Sequence, residues 1–165
     1  MDKSGQDKDR CSFTVTEAPW EQYQDAIQQI RNAVFVKEQH IPTELEWDGS
    51  DKDCIHVLAH DEQGEPIGTG RIQIHTHSNK LGDSSSVGHI GRIAIFKDWR
   101  GFGIGGEILT CLINIAEAQN LASVYLNAQE HLQPYYERYQ FVREGKVFEE
   151  AGIAHVRMAR EIASR

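Results

Sequence analysis

The chain contains no apolar run long enough to cross a bilayer and no basic start followed by an apolar stretch, so neither a membrane span nor a secretory leader is expected. A basic stripe is missing too. Asp and Glu number 25 against 17 Lys and Arg, for a formal charge of −8, and the acids are scattered along the chain. Binding a phosphate backbone needs the reverse, so nucleic acid is not an expected partner, and the address expected is cytoplasmic. Cysteine is scarce: Cys11, Cys54 and Cys111 are odd in number and far apart, which gives neither a disulfide framework nor a Cys-x-x-Cys pair. Cys54 and Cys111 fall in apolar patterns and read as small core residues, whereas Cys11 adjoins a charged leader and reads as exposed. His75 and His77 share one strand face without a third ligand, so no metal is expected.

What remains is a chain of 165 residues, enough for one domain with a continuous core. The polar leader 1–10 is expected to be mobile, with a single domain over 11–165. "SFTVTE" alternates like a strand. "WEQYQDAIQQIRNAVFVKEQ" sets Tyr23, Ala26, Ile27, Ile30, Val34 and Phe35 at helical spacing, and Pro42 ends any continuation. "TELEWDGSDKD" reads as a loop. "CIHVLAHD", a turn at "EQGEP" and "IGTGRIQIH" read as a hairpin. After the polar "SNKLGDSSS", the apolar "VGHIGRIAIF" suits a central strand buried on both faces. Ile104, Ile108, Leu112 and Ile115 then repeat at helical spacing, so the glycines before them open a long helix. "ASVYLNA" gives a strand, "HLQPYYERY" a short helix, and "FVREGKVFEE" with "IAHVRMAR" a closing strand pair.

The glycines between strand and helix contain a literal Gly-x-Gly-x-x-Gly at Gly101, Gly103 and Gly106. Backbone N–H groups at such a turn face an anion where the helix dipole is positive. A Walker A loop would require Gly-Lys-Ser/Thr, but Glu107 stands in the place of the lysine. A dinucleotide turn would start at the strand's end and be followed by an acid about twenty residues on; here "KDWR" intervenes and the next strand ends in Leu126 and Asn127. A third use fits better: Arg100-Gly101-Phe102-Gly103-Ile104-Gly105 sets a guanidinium beside a nest of N–H groups, which suits a pyrophosphate.

This Arg-x-x-Gly-x-Gly run resembles the coenzyme A loop of the GNAT family of N-acetyltransferases. "GRIAIFKDWRGFGIG" is similar to that family's fourth strand and pyrophosphate turn, and "LNAQEHLQPYYERYQF" to its fifth strand and following helix. "IRNAVFVKEQHIPTELEWDGSD" and "EEAGIAHVRM" resemble small bacterial ElaA-like acyltransferases. One position departs, since the family's usual glycine before the last phenylalanine is Gln140. The resemblance implies an α/β GNAT fold. That is a mixed, mostly antiparallel sheet of six to seven strands with helices on both faces, splayed between the fourth and fifth strands.

It also implies acetyl-CoA as co-substrate, held by the backbone of Ile93, Ala94 and Ile95, by Arg100, Gly101, Phe102, Gly103, Ile104, Gly105 and Gly106, and by Asn127. Tyr136 takes the place of the family's proton donor to the coenzyme thiolate. His89 lies where the family's histone acetyltransferases carry a glutamate base, and the base is His89 or water. Glu38 and His155 are acceptor-side candidates. The implied reaction is direct attack of an amine, small-molecule or peptide, on the thioester in a ternary complex, by a monomer or homodimer. A non-catalytic coenzyme A sensor is the alternative. The acyl group, acetyl or longer, stays open.

Overall fold

A computed structural model describes residues 12–162, so the 1–10 leader and Cys11 lie outside the described residues. Seven strands form one sheet in the order β1-β2-β3-β4-β5-β7-β6: β1 (Phe13–Glu17), β2 (Ile55–Asp61), β3 (Pro66–Ser78), β4 (Ser84–Ile95), β5 (Ser123–Gln129), β6 (Val142–Glu150) and β7 (Ile153–Glu161). β1 with β2, β5 with β7 and β6 with β7 are antiparallel, whereas β4 and β5 run parallel. The parallel register joins Val87 to Ser123, Gly88 to Val124 and His89 to Tyr125. β4 continues to Ile95 and β5 to Gln129 beyond those three pairs. The seven-stranded mixed sheet thus has the expected fold class.

Two compact units divide the backbone. One comprises the chain up to Arg71 together with Arg92–Cys111, and the other Ile72–Gly91 together with the chain from Leu112. In the first unit α1 (Trp20–Arg31) buries Ile27 and Ile30, three apart on one helical face, against Ala18, Leu58 and Ala94. α3 (Ile104–Ala118) begins there too, and its Ile108 approaches Gly68 so closely that a Cβ on the glycine would lie 3.1 Å from Ile108 Cδ1 and 3.3 Å from Ile95 Cγ1. Consecutive strand residues face opposite ways, so Ala94 under α1 and Ile95 beside α3 put the two helices on opposite faces of β4. Full burial of a side chain such as Ile108 contributes roughly 1.5–3 kcal/mol.

In the second unit β5 alternates half-buried and buried positions, with Val124, Leu126 and Ala128 inward. β7 adds Val156 and Met158, and Phe141 closes the end of the core after α4 (Gln133–Glu137). Gln140, in the turn before Phe141, has φ +67°, so the side chain that replaces the family's glycine is held in the left-handed region. β6 is the edge strand and is exposed along its whole length.

Several expectations are corrected. The helix predicted through residue 39 is α-helical only to Arg31, after which Asn32–Glu38 form wider π-helical turns, with Gln39 N–H donating to the Val34 carbonyl at 3.2 Å. That widening keeps Val34 in the core while Glu38 turns toward Arg100. Pro42 does not stop this helix; it precedes another, α2 (Thr43–Glu46), inside the stretch read as loop. Gly101 and Gly103 lie before the first residue of α3, and Gly105 and Gly106 lie within its first turn. Cys54 and Cys111 are half-buried, not core, and burial pushes both thiols up.

Candidate functional site

The glycine loop is built from β4 onward. A 3₁₀ turn (Lys97–Trp99) carries the chain to Arg100, and Gly101 and Gly103 follow with φ of +89° and +82°. L-residues with a side chain pay about 1–2 kcal/mol for such a backbone, which is why both positions are glycine. A Cβ on Gly103 would meet no protein atom within 4 Å, so the space over it is open. Ile104, the first residue of α3, is buried and anchors the loop from beneath. Trp99 and Phe102 bracket the turn with ring centroids 6.2 Å apart. A helix N-terminus, two left-handed glycines and open space above one of them fit a bound pyrophosphate.

Arg100 is not left to solvent. Its Nε donates to the Ile95 carbonyl at 3.0 Å, and its two terminal nitrogens grip the Glu38 carboxylate at 2.9 and 3.0 Å. Two predicted site residues, one assigned to coenzyme A and one to the acceptor side, are thus brought into direct contact.

Ile93, Ala94 and Ile95 follow a break in β4 that the sequence reading did not foresee. Arg92, in mid-strand, has φ +53°. A left-handed residue in mid-strand breaks the regular alternation of side chains and backbone groups at that point. β4 is accordingly not the uniform apolar strand its composition predicts.

A buried charge cluster holds this break. Arg31, fully buried, donates from Nε to Glu46 Oε1 and from Nη1 to Asp51 Oδ1, both at 2.6 Å. Arg71 donates to the same Asp51 oxygen at 2.7 Å and to Asp48 Oδ2 at 3.0 Å. Arg92 Nη2 donates to the Leu45 and Glu46 carbonyls at 3.1 and 3.2 Å. Its Nε lies 3.1 Å from Glu46 Oε2, an ion pair whose angle is too poor for a hydrogen bond. Burial pushes the Glu46 carboxyl up against the pull of Arg31, Arg92 and Arg71. Burial also pushes Asp48 and Asp51 up, but the arginine bonds outweigh it and hold both below the usual carboxylate range. The available signals were an arginine inside "VGHIGRIAIF" and acids at 46, 48 and 51 in a stretch taken for loop.

In the second unit Tyr136 lies on α4, its ring edge-on to Tyr135 at 5.1 Å and to Phe141 at 6.2 Å. Burial alone raises its phenol, which keeps the hydroxyl protonated. The Tyr135 phenol is raised too, by burial first and then by the neighbouring Tyr139, whose ring centroid lies 5.4 Å from its own. His89 faces Tyr125 across the parallel register, the rings stacked at 4.5 Å and 11°. Arg157 covers the Tyr125 ring with its Cζ 3.8 Å from the centroid, and Asn127 is the register partner of Arg157. His155 is taken up by its own hairpin: it is 8 % exposed, Nδ1 meets the Ile153 carbonyl at 2.7 Å, and the ring stacks on Phe148. An open cavity of about 430 Å³ nearby is lined by Glu130, His131, Ile153 and Ala154. Among the described residues no helix is long and apolar enough to cross a membrane.

Comparison with known proteins completes the picture. A family model described as an acetyltransferase (GNAT) domain matches residues 17–162. ElaA of Escherichia coli K12 is 33 % identical over 143 residues, covering 83 % of this chain and 86 % of ElaA. The crystal structure of Escherichia coli ElaA superposes with a TM-score of 0.71 at 29 % identity, over 92 % of this chain and 99 % of that one. An acyl-CoA N-acyltransferase from Pseudomonas aeruginosa, 32 % identical, gives a TM-score of 0.72 over 91 % of this chain and 99 % of its own.

Proposed function

Because this chain belongs to the GNAT family, as an ElaA-like acyl-CoA-dependent acyltransferase, we propose that it moves an acetyl group from acetyl-CoA to a primary amine by direct attack. The observation that carries the reading is the loop: two left-handed glycines at the start of α3, open space over Gly103, and Arg100 beside them. There the N–H groups and the guanidinium bind the pyrophosphate. The backbone of Ile93, Ala94 and Ile95 pairs with the amides of the pantetheine arm, as a strand would, and Asn127 serves the same arm. An N–H of β4 polarises the thioester carbonyl.

The amine must arrive neutral. His89, or water, takes a proton from the ammonium form, the amine nitrogen bonds to the carbonyl carbon, the carbon–sulfur bond breaks, Tyr136 gives its phenolic proton to the departing thiolate, and the surplus proton of the new amide nitrogen restores the phenol by way of solvent. The raised, burial-dominated phenol of Tyr136 supports that assignment. No side chain is needed as a covalent nucleophile, which supports a ternary complex. Glu38 serves the acceptor side, whereas the burial of His155 in its hairpin gives it a structural part.

The test is calorimetry with acetyl-CoA, followed by thiol release across small amines, polyamines, aminoglycosides and peptide N-termini. Binding in the micromolar range and release with one class are expected. Absence of binding would overturn the reading of the loop; binding without release on any amine would overturn the amine acceptor.

A further inference from the structure

The buried charge cluster does more than stabilise the first unit. A left-handed, non-glycine residue in mid-strand costs about 1–2 kcal/mol and persists only where its surroundings over-determine it. Arg92 is such a residue, and its side chain supplies the over-determination. Two carbonyls of the α2 segment, the Glu46 carboxylate at 3.1 Å and the Asp48 carboxylate at 3.6 Å all surround its guanidinium. Glu46 and Asp48 are in turn fixed by Arg31 and Arg71, and Asp51 ties those two arginines together. The break in β4 is therefore set by a clamp on a different segment, residues 45–51. Immediately after it come Ile93, Ala94 and Ile95, whose backbone donors and acceptors a left-handed residue turns relative to a regular ladder.

We infer that Arg92 is a positioning residue: its grip on Glu46, Asp48 and the Leu45 and Glu46 carbonyls holds the break in β4 that aims the following N–H groups at the thioester carbonyl. This rests on the reading of the chain as an acyl-CoA-dependent enzyme with a carbonyl-polarising N–H on β4. A consequence is that the segment 45–51 controls polarisation of the thioester without touching it. Displacement of that segment relaxes β4 and switches polarisation off, while the pyrophosphate loop, which depends on Gly101, Gly103 and Arg100, keeps its hold on the coenzyme.

The experiment uses the full chain with CoA and with acetyl-CoA isotope-labelled at the thioester carbonyl, and compares wild type with Arg92→Gly. Glycine adopts φ +53° without strain, so the variant removes the clamp while sparing the backbone. Calorimetry reads affinity for CoA and acetyl-CoA, and difference infrared spectroscopy reads the carbonyl stretch of the bound thioester. Wild type is expected to lower that stretch. Arg92→Gly should bind CoA within about two-fold of wild type, as befits a residue remote from the pyrophosphate loop, yet lose at least half of the carbonyl shift and its preference for acetyl-CoA over CoA.

A full shift in folded Arg92→Gly would overturn the inference. If that variant does not fold, Arg92→Lys keeps the charge but cannot span the Glu46 carboxylate and the two carbonyls at once. A partial shift there supports the clamp, and a full one removes it. A wild type that binds acetyl-CoA with no shift would instead remove the polarising N–H, a failure of the underlying reading that is told apart by the wild-type spectrum alone.

Discussion

Arg100 and Glu38 are joined at two points, with guanidinium nitrogens 2.9 and 3.0 Å from the two carboxylate oxygens, although 62 residues separate them in sequence. The Nε bond to the Ile95 carbonyl pins the same guanidinium to the end of β4. In this arrangement Glu38 supplies a negative charge to Arg100, and under the proposed function pyrophosphate binding would exchange one anion for the other.

Removal of the resident anion should therefore favour the incoming one. Exposed ion pairs are worth about 0.2–1 kcal/mol, so Glu38→Gln should tighten CoA binding by up to roughly five-fold at low salt. Arg100→Gln should weaken it. Calorimetry on both variants checks the pair, and weaker binding in Glu38→Gln would contradict the exchange.

Gly103→Ala separates strain from obstruction. The left-handed φ predicts a stability loss of about 1–2 kcal/mol, and the open space adds no clash within the protein. A methyl group aimed into the coenzyme's place should lower CoA affinity by more than about ten-fold, over 1.4 kcal/mol. Thermal melts and calorimetry on one preparation distinguish the two effects.

Tyr136→Phe retains the ring contacts with Tyr135 and Phe141 and removes only the hydroxyl. Stability should hardly change, because burial and not a hydrogen bond dominates its environment. Turnover at saturating acetyl-CoA should fall by about 10²-fold, the lower end of general acid catalysis, since a thiolate leaves readily. Tyr135→Phe and Tyr139→Phe keep their ring contacts and leave Tyr136 intact, so they should lower turnover much less.

The acid limb of stability follows from signs. Asp48 and Asp51 are lowered in the folded state, so their stabilisation is present above the ordinary carboxylate value and is lost as pH falls through the lowered ones. His56 is lowered by burial, so its contribution begins to fade once pH drops below its ordinary value of 6.5. Glu46 is raised and opposes the trend. Melting temperature should decline from neutrality toward pH 3, and Asp51→Asn should lower the plateau and flatten the steepest part of that limb. An unchanged profile in Asp51→Asn would argue against the bridge.

Gln140→Gly should stabilise the chain. The left-handed φ of +67° costs a side-chain-bearing residue about 1–2 kcal/mol, while glycine's greater freedom when unfolded offsets roughly 0.5–1. A denaturant midpoint raised by the equivalent of up to about 1 kcal/mol is the expected result.

What the sequence determined by itself was local. The alternation in "SVYLNA", the spacing of Ile104, Ile108 and Leu112, and the Gly-x-Gly pair after Arg100 each encode their own geometry within a few residues, because strand period, helix period and left-handed φ are properties of neighbouring positions. Element order and the place of the glycine loop were readable for that reason.

Only the tertiary structure decided the rest, since it depends on what distant segments bring. Arg92 reads as one charge in an apolar strand until the carboxylates of Glu46 and Asp48 and the carbonyl of Leu45 arrive beside it. The acids at 46, 48 and 51 read as a solvated loop until Arg31 and Arg71 bind them, with Glu46 and Asp51 buried and Asp48 at the exposed edge. His155 suits an acceptor pocket by position, and only the tertiary structure adds its packing in its own hairpin, with Nδ1 2.7 Å from the Ile153 carbonyl. A charge in sequence carries no record of its partner, and desolvation becomes affordable only once that partner is within hydrogen-bond reach. Local pattern therefore wrote the strands, helices and loop, while long-range charge pairing placed the break in β4 and closed Arg100 onto Glu38.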